Sequence, residues 1–115
     1  MDIKKWFEDG TGLTIKELRY RAMPKLPYNI FIDDKNFRGS DLETNIIEHN
    51  VTIEHYSEDI DEANEKIIEN FLDSEKSKLH YEYYDKSREW LETESMWITI
   101  YELGTFLEKV RKEGN

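Results

Sequence analysis

Apolar and polar positions along the chain change period several times, and each change marks an element. The clearest case runs from Val51 to Leu72, VTIEHYSEDIDEANEKIIENFL. Val51 and Ile53 alternate with Thr52 and Glu54, the period-2 pattern of a half-buried strand. Beyond Ser57 the period lengthens. Ile60, Ala63, Ile67 and Phe71, with Ile68 and Leu72 beside them, recur at helical spacing and form one apolar stripe. Ser57 and Asp59 offer N-caps, because a short side-chain oxygen accepts from the unpaired N–H groups of a first turn. Glu58, Asp59, Asp61 and Glu62 crowd that turn, where negative charge suits the helix dipole. Glu62 and Lys66 stand four apart in the favourable order. The pattern predicts a long amphipathic helix over 58–73 that follows a strand and lies on a sheet.

The remaining elements fall around this unit. Ile3, Trp6 and Phe7 share one face of a short helix within Asp2–Glu8, closed by Gly10 and Gly12. From Leu13 to Met23 two patterns compete. Thr14 and Glu17 form a capping box with Leu13 and Leu18 as its hydrophobic staple, favouring a helix from about Ile15. Against it, Leu18, Tyr20 and Ala22 alternate with Glu17, Arg19 and Arg21, as in a strand. Tyr28, Ile30 and Ile32 mark a strand over Pro27–Asp33, and Asp34–Asp41 reads as a polar loop. Leu42–Tyr56 reads as a long strand, interrupted near Asn45 or His49. Asp73–Lys78 is a charged turn, and Leu79, Tyr81 and Tyr83 alternate as in a strand. Ser87–Glu94 is polar around Trp90 and Leu91 and fits a turn or a single helical turn.

The last strand is Ser95–Leu103, with Met96, Ile98 and Ile100 on one face and Trp97, Thr99 and Tyr101 on the other. Bulk on both faces implies a central strand or one that meets a partner. Thr105 and Glu108 form a second capping box, and Phe106, Leu107 and Val110 predict a short terminal helix. Consecutive strands with short links favour an α+β fold: a mainly antiparallel sheet of four or five strands, with the 58–73 helix and the N-terminal helix packed on it. Residues 1–115 form a single domain, in which 104–115 is a C-terminal tail or short helix.

Composition narrows the function classes. At 115 residues the chain is one domain's worth. Hydrophobic residues make up 37% and aromatics 13%, which gives a thin core with aromatics left over for contacts. A net charge of −10 disfavours binding to nucleic acid phosphates or to an anionic membrane. With no Cys there is neither a disulfide framework nor thiolate chemistry, consistent with a reducing compartment. The opening MDIKKWFEDG lacks the apolar run of a signal peptide, and no window approaches the roughly 18 apolar residues of a membrane span.

Catalytic, cofactor and metal motifs are not evident. His49, His55 and His80 lack ligand spacing and read as solvated or edge histidines. The Asp34–Asp41 loop resembles a calcium loop at Asp34, Asn36 and Gly39. However, Arg38 and Asn45 stand where oxygen donors and a bidentate Glu are needed. Adjacent acids such as Glu58 and Asp59 are explained by helix capping. Tyr81, Tyr83, Tyr84, Trp90 and Trp97 offer aromatic surface for a core or a protein interface. Phe37 and Arg38, at the tip of the 34–41 loop, are candidate docking residues. Together with Tyr84, Trp90, Trp97 and Tyr101 they make up the candidate interface set.

Read in order, LPYNIFIDD (Leu26–Asp34), GSD (Gly39–Asp41), NVTIEHYS (Asn50–Ser57), the E-x-x-I-E-x-F-L run of Glu65–Leu72 and the late MWITIYEL strand resemble the tail-completion, or head–tail joining, proteins of long-tailed bacteriophages and prophages. The similarity spans Trp6 to Leu103, with His55 where that group commonly has Leu. The resemblance implies a small α+β structural protein with no catalytic role. Its protomers would form a ring, usually a hexamer, between the tail tube protein and the head-completion or connector protein. It would be located in the neck of the virion and, during assembly, in the bacterial host cytoplasm. It further implies a strand at about Lys16–Ala22. A different class also fits the charge: a small acidic inhibitor that mimics DNA and occupies a host nucleic-acid-binding protein. That class needs carboxylates displayed along one face, whereas here they concentrate around the long helix.

Overall fold

The computed structural model describes residues 1–19, 21, 22, 24–39 and 44–111, and within these it contains two helices and eight strands. Helix α1 spans Ile3–Thr11. The Asp2 side chain accepts a hydrogen bond from the Lys5 amide, and Gly12, in the left-handed region at φ 74°, closes the helix by donating its N–H to the Glu8 carbonyl. Ile3 and Phe7, one turn apart, are the buried face.

The contested segment is extended. Lys16–Glu17 forms strand β1, parallel to β2 (Tyr28–Asp33). The capping box does not form, because its groups have better partners across the fold. The Ile15 amide donates to the Glu8 carboxylate (3.0 Å), the Thr14 carbonyl accepts from the Asn29 side chain (3.0 Å), and the Leu18 amide donates to the Phe31 carbonyl (2.8 Å). The strand covers two residues rather than 16–22. Tyr20 and Met23 lie outside the described residues.

The expected 34–41 loop is instead half of a hairpin, with β3 (Asn36–Gly39) antiparallel to β4 (Thr44–His49). Ser40, Asp41 and Leu42 lie outside the described residues. The long strand predicted over Leu42–Tyr56 breaks at Asn50, next to His49, and resumes as β5 (Val51–Ser57). Asn50 stabilises the break. Its amide donates to Asp33, its side-chain NH₂ donates to the Asp34 carbonyl, and its side-chain oxygen accepts from Thr105.

Helix α2 spans Glu62–Leu79, later at both ends than the predicted 58–73. Asp61, rather than Ser57 or Asp59, is its N-cap, and Ser57 belongs to β5. The helix continues through the supposed turn at 73–78 and stops at His80, which adopts φ 60°. The strand expected at 79–84 is therefore displaced. Tyr81 turns inward, is buried, and donates its hydroxyl to the Leu72 carbonyl. Residues read as a turn form β6 (Tyr84–Leu91), followed by β7 (Met96–Leu103). The predicted terminal helix is strand β8 (Phe106–Arg111). Thr105 donates to Asn50 instead of capping, Phe106 is buried, and Glu108 reaches His49 and the Met1 amine. Residues 112–115 lie outside the described residues.

The main sheet runs β1-β2-β5-β7-β6 and is antiparallel apart from β1–β2. A smaller sheet runs β3-β4-β8. Register puts Phe31, Ile53 and Tyr101 in one row, and these pack with Ile3, Phe7, Ile68, Phe71 and Leu72 into the core. Both helices thus cover the same face of the main sheet. The opposite face, through Ile30, Ile32, Met96, Ile98 and Ile100, carries no helix.

Gly10 marks the tightest contact between the helices. A Cβ there would lie 2.0 Å from the Phe71 ring, itself packed against Trp6 (centroids 4.7 Å apart) and Phe7 (6.2 Å). Gly10→Ala should destabilise the fold by about 1–3 kcal/mol through overpacking, outweighing the roughly 1 kcal/mol helix preference of Ala over Gly. Urea unfolding measures this, and an unchanged or higher midpoint would show that Phe71 moves aside freely.

Candidate assembly surfaces

Much of the chain's charge is consumed internally. Glu65, on the buried side of α2, is 1% exposed and accepts hydrogen bonds from four groups. Arg88 reaches it through Nε (2.9 Å) and a terminal guanidinium nitrogen (2.5 Å), Lys86 through Nζ (3.1 Å), and Thr99 through its hydroxyl (2.6 Å). Burial works to raise the Glu65 pKa, but the Arg88, Thr99 and Lys86 bonds to the ionised form win and hold it at about 2. One turn on, Glu69 accepts from Lys86 (2.7 Å) and from the Tyr101 hydroxyl (2.8 Å).

The histidines correct the solvated reading. His49 and His55 are each 1% exposed. The two ring nitrogens of His49 face Asp33 (2.6 Å) and Glu108 (2.8 Å), and its ring stacks on Phe106 at 4.9 Å. Those of His55 face the Asn29 side-chain oxygen (2.6 Å) and Asp61 (2.8 Å). Both arrangements are fully hydrogen-bonded when each nitrogen carries a proton. Desolvation raises the Asp61 pKa, but bonds from His55 and Asn64 outweigh it and hold the group below its ordinary value. His80, at the helix end, is exposed. Among the described residues no group of three or more His, Cys, Asp or Glu side chains is arranged to hold a metal ion. Within the 34–41 stretch, whose ligand types already argue against a calcium loop, Asn36–Gly39 form β3, paired to β4.

The candidate interface residues divide by location. Phe37 stands on β3 at 73% exposure, opposite Ile47. Arg38 pairs with Ile46 through its backbone, and its side chain lies outside the described residues. Trp90 is 41% exposed on β6 and meets the half-buried Trp97 of β7 at 5.5 Å. Tyr84 is half-buried, edge-on to Tyr101 at 5.9 Å, and burial pushes its hydroxyl up to about 12. Tyr101 is fully buried and hydrogen-bonded to Glu69. It is a core residue, which corrects its inclusion in an interface set. The alternation of β7 placed Tyr101 on a bulky face, and that face lies beneath α2.

The larger apolar surface was not singled out from the sequence. On the helix-free face of the main sheet a groove of about 440 Å³ lies between Leu18, Arg19 and Pro24 on one side and the sheet on the other. Tyr28 and Tyr56 stack at 4.8 Å to form one wall, while Ile32 and Leu18 remain 37% and 59% exposed. The two-sided bulk of β7 was the available signal. The partner strands and the residues Leu18, Arg19 and Pro24 that complete the groove come together only in the fold.

No protein-family model and no curated protein sequence matches the chain. No helix among the described residues is long and apolar enough to cross a membrane.

Glu65 makes stability acid-sensitive with a defined sign. Its folded pKa of about 2 lies below an ordinary 4.5. The stabilisation it provides is therefore fully present above about pH 4.5 and lost as pH falls towards 2. The depression is worth roughly 3 kcal/mol at neutral pH. Glu65→Gln should lower stability at pH 7 by a comparable amount and flatten the loss between pH 4.5 and 2, read by urea unfolding across that range. An acid limb identical in the two proteins would remove Glu65 as its source.

Proposed function

We propose that the chain is a non-catalytic structural subunit that assembles with copies of itself into a ring at the head–tail junction of a long-tailed phage or prophage. There it completes the tail tube and joins it to the head. The observation that carries this reading is the helix-free face of the main sheet, where a groove leaves Ile32 37% and Leu18 59% exposed. Ile30, Met96 and Ile98 on the same face are buried, and among the described residues the helices lie only on the other face. A further protein layer over that face would complete it, as subunit contacts in a ring do. Three of the motifs that carry the resemblance form neighbouring strands. LPYNIFIDD supplies β2, NVTIEHYS supplies β5 and MWITIYEL supplies β7, three adjacent strands of one sheet.

The acids fit a DNA mimic less well. Glu65, Glu69 and Glu75 of α2, with its cap Asp61, face internal partners instead of forming an outward row. Mass by light scattering, for the protein alone and mixed with tail tube protein, tests the assignment. A closed ring of six or so copies of the 13.9-kDa chain, alone or on the tube, is the expected result. Template dependence is natural for a weak interface governed by mass action. A monomer at all concentrations that ignores the tube, and is instead captured by a host DNA-binding protein in a salt-sensitive way, would replace this reading with the inhibitor.

A further inference from the structure

We infer that His49 is a proton-operated latch: as the imidazolium it clamps the small sheet onto the main sheet, and loss of its proton as pH rises releases that junction. The inference is independent of the assembly proposed above.

No described strand of the small sheet pairs with a strand of the main sheet. The chain crosses between them at Asn50, which links β4 to β5, and at Gly104 and Thr105, which link β7 to β8. His49 stands at this crossing. It ends β4 and pairs in register with Phe106, the first residue of β8. Its ring is 1% exposed and stacks on Phe106. Nδ1 lies 2.6 Å from Asp33, at the end of β2 in the main sheet, and Nε2 lies 2.8 Å from Glu108 of β8. The Asp33 side chain is fully buried, and its other oxygen accepts from the Asn50 amide (3.2 Å). The second oxygen of Glu108 meets the Met1 amine, ahead of α1.

Ionised carboxylates only accept hydrogen bonds, and a neutral imidazole carries one N–H and one lone pair. Only the imidazolium donates to Asp33 and Glu108 together. Those two acids and the two cations, His49 and the Met1 amine, then sum to zero. A neutral ring leaves a net −1 and turns a lone pair towards one carboxylate. If that carboxylate is Asp33, a buried charge loses a donor without gaining water, which is costly. If it is Glu108, the tie between β8 and the main sheet is lost. His55 lacks this role, because its partners, Asn29 and Asp61, do not belong to the small sheet.

The fold holds the charged ring, and an unfolded histidine titrates near pH ~6.5. The latch therefore contributes fully below that pH and is lost as pH rises and the folded ring gives up its proton. A second limit lies on the acid side. Desolvation raises the Glu108 pKa, but bonds from the Met1 amine and His49 outweigh it and hold the group below its ordinary 4.5. The contribution of Glu108 is present above about pH 4.5 and lost as pH falls further.

Nitrogen-15 NMR of the wild-type protein reads the latch without a substitution. At pH 6 His49 should show N–H on both ring nitrogens, and one is lost as pH rises. Amide exchange on the same sample reads the junction through the Asn50 amide, bonded to Asp33, and the Asp34 amide, bonded to the Asn50 carbonyl. Corrected for base catalysis, their opening ratio should climb by up to about tenfold per pH unit while the ring loses its proton. His49→Gln cannot take up a proton, and its opening ratio should be raised and flat over the same range. His55→Gln should keep the slope. A single ring N–H on His49 at pH 6, a flat ratio in the wild type, a slope that persists in His49→Gln, or one that vanishes in His55→Gln would each overturn the latch.

Discussion

Glu65 is a full negative charge in the interior, and burying it is tolerable only where matching donors already stand. Arg88, Lys86 and Thr99 stand on one face of β6 and β7 because alternate residues of a strand share a face. Sliding or flipping α2 would strand the carboxylate away from those donors. The ion cluster therefore decides which side of the sheet the long helix covers, and Tyr101 and Glu69 extend the same attachment by one turn. The apolar stripe of Ile68, Phe71 and Leu72 supplies the hydrophobic burial, and the charge cluster supplies its position.

A helix layer fixed on one side leaves the other side of the sheet without a helix. Ile30, Met96 and Ile98 on that side are buried, while Ile32 and Leu18 remain exposed in a groove that Arg19 and Pro24 also line. The second sheet arises from a comparable local device. Asn50 breaks a continuous apolar run into β4 and β5, sending the hairpin away from the main sheet, and His49, wedged between Asp33 and Glu108, ties β8 back against it. Together these two features give a chain of net charge −10 with a helix-free groove on its main sheet and an exposed Phe37 on its small sheet.

The fold class was legible because period and spacing are local. α1, β2, β5, the middle of α2 and β7 all follow from alternation or a helical stripe. The two capping boxes misled for one reason: a capping motif does not show what else competes for the same stretch of backbone. Thr14 and Thr105 both opened a capping box, yet each has a distant partner, Asn29 for the Thr14 carbonyl and Asn50 for the Thr105 hydroxyl. Strand β6, YDKSREWL, was hidden because its charged residues serve α2 from an edge position, so it shows no apolar alternation. The histidines looked solvated because their carboxylate and amide partners are 6–59 positions away in sequence. The surface candidates were half legible. An exposed Phe37 follows from a polar setting, whereas the groove depends on four separate segments and is visible only in three dimensions.

Side-chain footprinting with a photo-generated carbene, comparing the dispersed protein with the assembled form, tests the account most directly. If the groove on the helix-free sheet face is the surface that assembly completes, labelling at Leu18 and Ile32 falls together on assembly while labelling at the exposed Ile67 of α2 stays unchanged. Assembled particles in which Leu18 and Ile32 label as strongly as in the dispersed protein would contradict it, and would place the subunit contacts on a surface other than the uncovered sheet.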